Sequence, residues 1–457
     1  MTIIVELAAI RAKCDRFWRQ TQLEPDATRY LKILHTSDWH LGVSMQDATC
    51  EPEQKRFLNW LVDTINDRQV DVLVVAGDVF HFSQPSNAAR KLYYEFLVRC
   101  ERDTELRQIV ITGGNHDSPT GLEAASEVLQ YLRCAVVGGI QADESTWRDC
   151  LVPVEGGDGD VEVVVAAVPY VPEAKLGVSG VGKDPDAIRD EFHQAFQRLY
   201  TTLADQAREA YPNATLVATG HLTSYARAGQ KESGDFRSQI HQTGTIGFMP
   251  PTIFDERFDY VALGHIHRML PVDKPRVWYS GTPVPTSKDE LSTRFVLEYD
   301  TETDDVSALE VPRWRDVKAL TGTCEEVIEA LDNVDFDGEL PPYLFVFVRD
   351  EKHEYDSPPF QQIQAVIDEM EAPRPRIVKY RETTLGGWDG EAQEAPPSLD
   401  ELTPEQVFKR MWQSKHGGEP PDDVLRLFRT LVPQQQDDEA DSSGGVQLEL
   451  LVGGADA

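Results

Sequence analysis

Gln108-Ile109-Val110-Ile111-Thr112-Gly113-Gly114-Asn115-His116-Asp117 is an apolar, β-branched run that ends abruptly in a turn carrying an amide, an imidazole and a carboxylate. The run has the pattern of a buried parallel strand, so its polar cluster emerges at the strand's carboxyl end, where ligands collect in open α/β sheets. Gly113 and Gly114 allow a sharp turn with little bulk beside the site. Asn115 offers a carbonyl oxygen, and Asp117 can orient His116. Alone, Gly-Asn-His-Asp is also compatible with an ordinary polar turn, so its company in the chain decides.

The same unit of strand, ligand loop and helix recurs upstream. Lys32-Ile33-Leu34-His35 runs into Thr36-Ser37-Asp38-Trp39-His40-Leu41-Gly42, and an amphipathic helix follows over 51–67, with Phe57, Leu58, Leu61, Val62 and Ile65 on one stripe. A near-continuous apolar strand at 70–76 leads to Gly77-Asp78-Val79-Phe80-His81 and a helix over 87–102. A third helix is expected at 121–132. Downstream come a strand at 161–168, a long helix over 184–210, and two strands that end in Gly220-His221 and Gly264-His265-Ile266-His267. Strands at 277–280 and 294–299 read as closing a second sheet. Alternating strands and helices imply right-handed crossovers, and so an α/β fold with helices on both faces.

Residues 1–30 stand outside this pattern and read as an N-terminal extension, so the main domain spans 31–312. Composition turns acidic after Pro312, and 313–384 reads as a small β-α-β capping domain built on Tyr343–Val348, a helix at 360–370 and a strand at 377–380. A Gly/Pro/acid-rich linker at 385–398 precedes two amphipathic helices in 399–432, with Phe408, Met411 and Trp412 on one face and Leu427 and Phe428 on the other. These are expected to bind a partner. The tail at 433–457 has the composition of a disordered segment.

The chain has 457 residues and a net charge of −34, of which 35 acidic against 14 basic residues in 301–457 contribute −21, leaving −13 for 1–300. That balance speaks against a nucleic-acid substrate held through a large basic face, since phosphate contacts normally demand the opposite sign. Metal dications, a partner that supplies phosphate contacts, or a high-salt cell interior would each reconcile that acidity with a nucleic-acid substrate. The six cysteines (Cys14, Cys50, Cys100, Cys134, Cys150 and Cys324) lack CxxC spacing, which argues against both a zinc ribbon and a disulfide framework. No apolar run approaches a bilayer span, and a cytoplasmic protein is expected.

Five loops therefore stand at five strand ends, all expected outside one sheet edge. They offer Asp38, His40, Asp78, Asn115, His221, His265 and His267 in fixed order. Mixed imidazole and hard oxygen donors suit manganese, iron or zinc better than magnesium or calcium. Two such ions about 3.5 to 4 Å apart serve phosphoester hydrolysis. A scaffold with a vestigial site is disfavoured, because no ligand position is missing.

The stretches LKILHTSDWHLG (31–42), VAGDVFH (75–81), GGNHDS (113–118), TGHLT (219–223) and ALGHIHR (262–268) resemble the calcineurin-like metallophosphoesterases, whose folds are two-sheet sandwiches flanked by helices. Within them the likeness is to the SbcCD-type nuclease subunits and their archaeal and eukaryotic break-repair counterparts, and it spans about residues 31–432. It implies that Asp38, His40, Asp78 and His267 hold one divalent ion and Asp78, Asn115, His221 and His265 the other, with Mn2+ the expected metal and Asp78 the bridge. It further implies His116 as the catalytic imidazole, Asp117 as its orienter and His81 as a positioner of the substrate phosphate. A double-strand exonuclease and single-strand or hairpin endonuclease follows, dimeric and in a heterotetramer with an SbcC-like ATPase, serving DNA repair, replication and recombination. The alternatives are a small-molecule phosphodiesterase or nucleotidase, which needs no extra domain, and a protein phosphatase, which the absence of Asp-Arg-Gly after Gly77-Asp78 disfavours. Leu31 stands where members of this branch usually begin with Met.

Overall fold

The computed structural model describes residues 30–178, 184–224, 249–272, 276–287, 290, 292–350 and 357–384, with isolated positions at 408–409, 412, 420–421 and 424–425. The chain divides after Thr384 into two units. Most of the expected helical pair in 399–432, the extension before Tyr30 and the tail lie outside the described residues. In the second unit the rings of Phe408 and Trp412 lie 6.0 Å apart.

The first unit opens with β1 (Lys32–Thr36), the short pair β2 (Ser44–Met45) and β3 (Ala48–Thr49), α1 (Glu51–Arg68), β4 (Val72–Ala76), α2 (Asn87–Asp103) and β5 (Gln108–Thr112). The expected helix at 121–132 is instead broken into α3 (Pro119–Glu123), α4 (Ser126–Leu129) and a 3-10 turn, and β6 (Cys134–Val137) follows. The second half contains β7 (Leu151–Glu155), β8 (Val161–Ala166), α5 (Pro185–Ala210), β9 (Thr215–His221), β10 (Tyr260–Gly264), β11 (Leu270–Pro271) and β12 (Val277–Tyr279). β13 (Arg294–Asp300) and β14 (Asp305–Val311) complete it.

Two six-stranded mixed sheets result, ordered β14-β13-β1-β4-β5-β6 and β11-β12-β10-β9-β8-β7. The expectation for 294–299 is corrected here: β13 pairs antiparallel with β1 in the first sheet, while β12 lies in the second. Alternation along each strand explains the layering. Ile33, Val72, Val74 and Val110 of the first sheet meet Val163, Val165, Val217 and Ala262 of the second in one buried cluster. Their strand neighbours Leu34, Leu73, Val75 and Ile111 point the other way, onto Phe57, Leu61, Phe96 and Leu97 of α1 and α2. Leu216 and Ala218 likewise face Phe196, Leu199 and Leu203 of α5. Both strand faces are buried, which is why the central strands read as unbroken apolar runs.

The capping region contains more elements than its sequence suggested. β15 (Arg315–Gly322), α6 (Cys324–Asp332), β16 (Leu340–Asp350), α7 (Pro359–Glu369) and β17 (Arg376–Thr384) form a three-stranded parallel sheet, so one strand and one helix precede the expected β-α-β unit. α6 begins with a capping box between Thr323 and Glu326. This sheet packs on the chain just after the first ligand loop, where Val43, Met45, Ala48 and Cys50 meet Val317, Tyr343 and Phe345. Five of the cysteines are buried free thiols. Among the described residues no helix is long and apolar enough to cross a membrane.

His35 faces the sandwich interior, fully buried, with Nδ1 2.8 Å from the Tyr260 hydroxyl. Burial pushes its imidazole down to about 3. As pH falls through the ordinary histidine range the unfolded chain takes up this proton first, so the stability present above pH 6.5 drains away below it. Urea unfolding at pH 8 and pH 5.5 should show the wild type losing about 1.4 kcal/mol more than His35→Gln across that interval. Equal losses would show that His35 does not stay neutral.

Candidate metal centre

Each expected ligand sits where a strand gives way to a turn, and the backbone there is unusual. Asp38 (φ 52), His40 (φ 45), Asp78 (φ 51) and His265 (φ 94) all adopt left-handed conformations that residues with a Cβ rarely enter. Surrounding hydrogen bonds hold them: Asp38 N donates to Gly77 O at 3.0 Å and His40 N to Asp78 O at 3.0 Å. Gly77 (φ 85) is required twice over, because a Cβ at this position would collide with the His221 ring. A Cβ at Gly114 would strike the Asp78 carboxylate.

The loops do not share one sheet edge. Asp38, Asp78 and Asn115 follow β1, β4 and β5 of the first sheet, whereas His221 ends β9 and His265 and His267 follow β10 of the second. Alternating apolar runs cannot tell one mixed sheet from two packed face to face, so the sequence pattern placed all five together. Two sheet ends converge instead.

At the meeting point lies Asp78, 2% exposed. Its Oδ2 is 3.5 Å from His40 Nε2 and 3.3 Å from His221 Nε2. On one side Asp38, His40 and His267 bring their donor atoms within 4.8 Å of one another, with the two imidazole Nε2 atoms 3.0 Å apart. On the other side Asn115 Oδ1 lies 3.1 Å from His221 Nε2 and 3.0 Å from His265 Nδ1. Burial raises the Asp38 carboxyl above its usual range and lowers His265 to about 3. Burial also opposes ionisation of Asp78, but His221 and His40 overcome it and leave that carboxylate well below the usual range. His221 is raised to about 9 by Asp78 against its own burial.

The tautomers make a cation the natural complement. His221 Nδ1 donates to Ala76 O at 3.0 Å and His267 Nδ1 to Glu290 Oε1 at 2.7 Å, so each Nε2 faces inward, and a cation bound there would take the place of the proton that Asp78 otherwise holds on His221. Two imidazoles, two carboxylates and an amide oxygen then converge on one site, an arrangement that divalent ions satisfy. The residues fit the implied metal pair.

His116 is exposed at the mouth, with Nδ1 2.9 Å from His81 O and its ring 4.9 Å from that of His40. His81 stacks against it at 5.4 Å and 21°, and its Nδ1 lies 3.3 Å from His40 Nδ1. Asp117 corrects an expectation. Its carboxylate is committed to the backbone N–H groups of Val79 (3.0 Å), Phe80 (2.9 Å) and Gly114 (2.9 Å), so it staples the Asp78 loop to the Asn115 loop and does not orient His116. The His81 carbonyl takes the orienting role. Burial lifts the Asp117 carboxyl to about 6 despite those three donors.

Sequence reading missed Glu290. Its Oε1 accepts from His267, its Oε2 accepts from Thr286 N at 2.8 Å and Thr286 Oγ1 at 3.0 Å, and Arg294 Nη1 bonds His267 O at 2.6 Å. Gln54 was missed as well; its side chain donates to His40 O at 2.8 Å and accepts from Gly42 N at 3.1 Å.

Residues 31–269 match the family of calcineurin-like phosphoesterases, and 313–416 match the type 5 capsule protein repressor C-terminal domain. The SbcD component of the SbcCD nuclease of Rhodobacter capsulatus is 30% identical over 394 residues, covering 83% of this chain and 93% of that protein. Its counterpart in Escherichia coli K12 is 29% identical over 394 residues (83% and 92% covered), and the one in Bacillus subtilis 168 is 24% identical over 429 residues (90% and 100%). The chain belongs to the calcineurin-like phosphoesterases. Within that family it falls among the SbcD nuclease subunits, which it matches along most of its length.

Glu290→Gln keeps the size of the side chain but removes the charge that holds His267 Nδ1–H. Manganese affinity, read by calorimetric titration, should fall about 10- to 100-fold, as for loss of an outer carboxylate–histidine bond. Unchanged affinity would remove Glu290 from the site.

Proposed function

We propose that the protein is a metal-dependent DNA nuclease, an exonuclease on double-stranded ends and an endonuclease on single strands and hairpins, acting with an SbcC-like ATPase in repair, replication and recombination. The observation that carries this reading is Asp78, whose one carboxylate is within reach of His40 on one side and His221 on the other. Asp38, His40, Asp78 and His267 would hold one divalent ion, and Asp78, Asn115, His221 and His265 a second, with Mn2+ the metal we assign. Two such ions polarise a phosphoryl group and ready a water for attack near neutral pH.

The chain's own part is positioning and proton transfer. With Nδ1–H given to the His81 carbonyl, His116 turns Nε2 toward solvent at the mouth, where in the imidazolium form its Nε2–H can bind a phosphate oxygen and pass that proton to the leaving oxygen. His81 walls the same side and steadies the phosphate. The three backbone N–H groups on Asp117 keep the two ligand loops in register while substrate enters. Segment 399–432 is the portion we assign to the ATPase.

His40, His81 and His116 also bring donor atoms within 4.8 Å of one another, so His116 could instead be a ligand, and metal analysis separates the two roles. Asp78→Ala should lose both manganese and cleavage. His116→Ala should keep two ions per chain while cleavage of linear and hairpin DNA, with the ATPase present or absent, falls about 10²- to 10⁴-fold. A metal-depleted His116→Ala would make that imidazole a ligand. Hydrolysis of small phosphodiesters with no cleavage of DNA would favour the small-molecule alternative.

A further inference from the structure

We propose that Phe82 is a stacking platform for an unpaired nucleobase next to the phosphate being cleaved; this rests on the nuclease reading above. Phe82 directly follows the loop Gly77-Asp78-Val79-Phe80-His81, and 59% of it is exposed. Singly exposed apolar side chains are common and need no explanation by themselves. What sets this one apart is its place. Its ring meets the His81 ring edge-on, with centroids 4.5 Å apart at 75°, and the His81 ring lies 5.3 Å from that of His40 and 5.4 Å from that of His116. Among the large exposed apolar side chains of the described residues, Phe82 is the one in ring contact with the site.

The site opens on the same side, since Asn115 and His116 are both exposed. A base is joined to its phosphate through a single sugar, so a phosphate held at His116 and steadied by His81 leaves the neighbouring base about one ring contact further out, where Phe82 stands. A phenyl face offers no hydrogen bonds, so the platform accepts any base, and it requires that base to be free of its duplex neighbours. Electrostatics favours the same chemistry. A chain carrying −34 draws little affinity from phosphate contacts, whereas stacking is unopposed by negative charge.

The test uses single-stranded oligonucleotides in which one abasic site is moved stepwise across the cleaved phosphate, with kcat and KM measured under manganese for wild type, Phe82→Ala and Phe82→Trp. In the wild type one abasic position should raise KM about 10-fold, with less effect on kcat. Phe82→Ala should show the raised KM on intact DNA and no further abasic penalty, and Phe82→Trp should restore both the low KM and the penalty. Wild-type KM and abasic penalty in Phe82→Ala would overturn the proposal, as would a loss in Phe82→Ala that still adds to the abasic penalty. A wild type that hydrolyses bis(p-nitrophenyl) phosphate but cuts no oligonucleotide would overturn the nuclease reading together with this one. A wild type that cuts DNA with no abasic-sensitive position would overturn this one alone.

Discussion

A single buried carboxylate, Asp78, sits where the ends of two sheets meet, and its two neighbours come from different halves of the chain. His40 belongs to the loop after β1 and His221 to the end of β9, yet both reach the same oxygen. Burying such a charge is costly unless it is paired, so the packing of one sheet on the other and the satisfaction of Asp78 are one problem. The valine-rich interior brings the strand ends together, and the converging donors demand cations. Left-handed backbone at Asp38, His40, Asp78 and His265 is the local cost of that convergence.

The support around the site reaches into the capping sheet. Glu53 and Gln54 are neighbours on α1: Gln54 grips the carbonyl of His40, while Glu53 pairs with Arg315 of β15, both largely buried. The Arg315 guanidinium lies 3.9 Å over the Tyr343 ring, and the Tyr343 hydroxyl donates to Thr49 O at 3.0 Å. One helix start therefore ties the Asp38–His40 loop to the third sheet. Such a buried pair contributes little net stability but is expensive to break from one side, so it fixes geometry more than it adds free energy.

Much of this was legible in the sequence, for identifiable reasons. Strands buried on both faces leave unbroken apolar runs, and each of the five polar loops sits directly after one, which is why Asp38, His40, Asp78, Asn115, His221, His265 and His267, the side chains the fold brings together, could be named in order. Glu290 carries no such mark: it stands outside any strand and touches His267 across 23 positions through tertiary folding alone. Asp117 shows the opposite error, since adjacency to His116 suggested a bond that the turn geometry directs to backbone amides. β13 was misassigned because an antiparallel strand reads the same in either sheet. β15 went unseen because two of its three buried positions are the charged Arg315 and Asp316, and 121–132 lost its helix where Ala124 and Ala125 separate two short turns.

Anomalous diffraction at the manganese edge from crystals of the full chain grown with Mn2+ tests the central claim most directly. Two peaks about 3.5 to 4 Å apart, both within bonding distance of Asp78, one also touching Asp38, His40 and His267 and the other Asn115, His221 and His265, are the expected result. A single peak, or two peaks that do not share Asp78, would contradict the account.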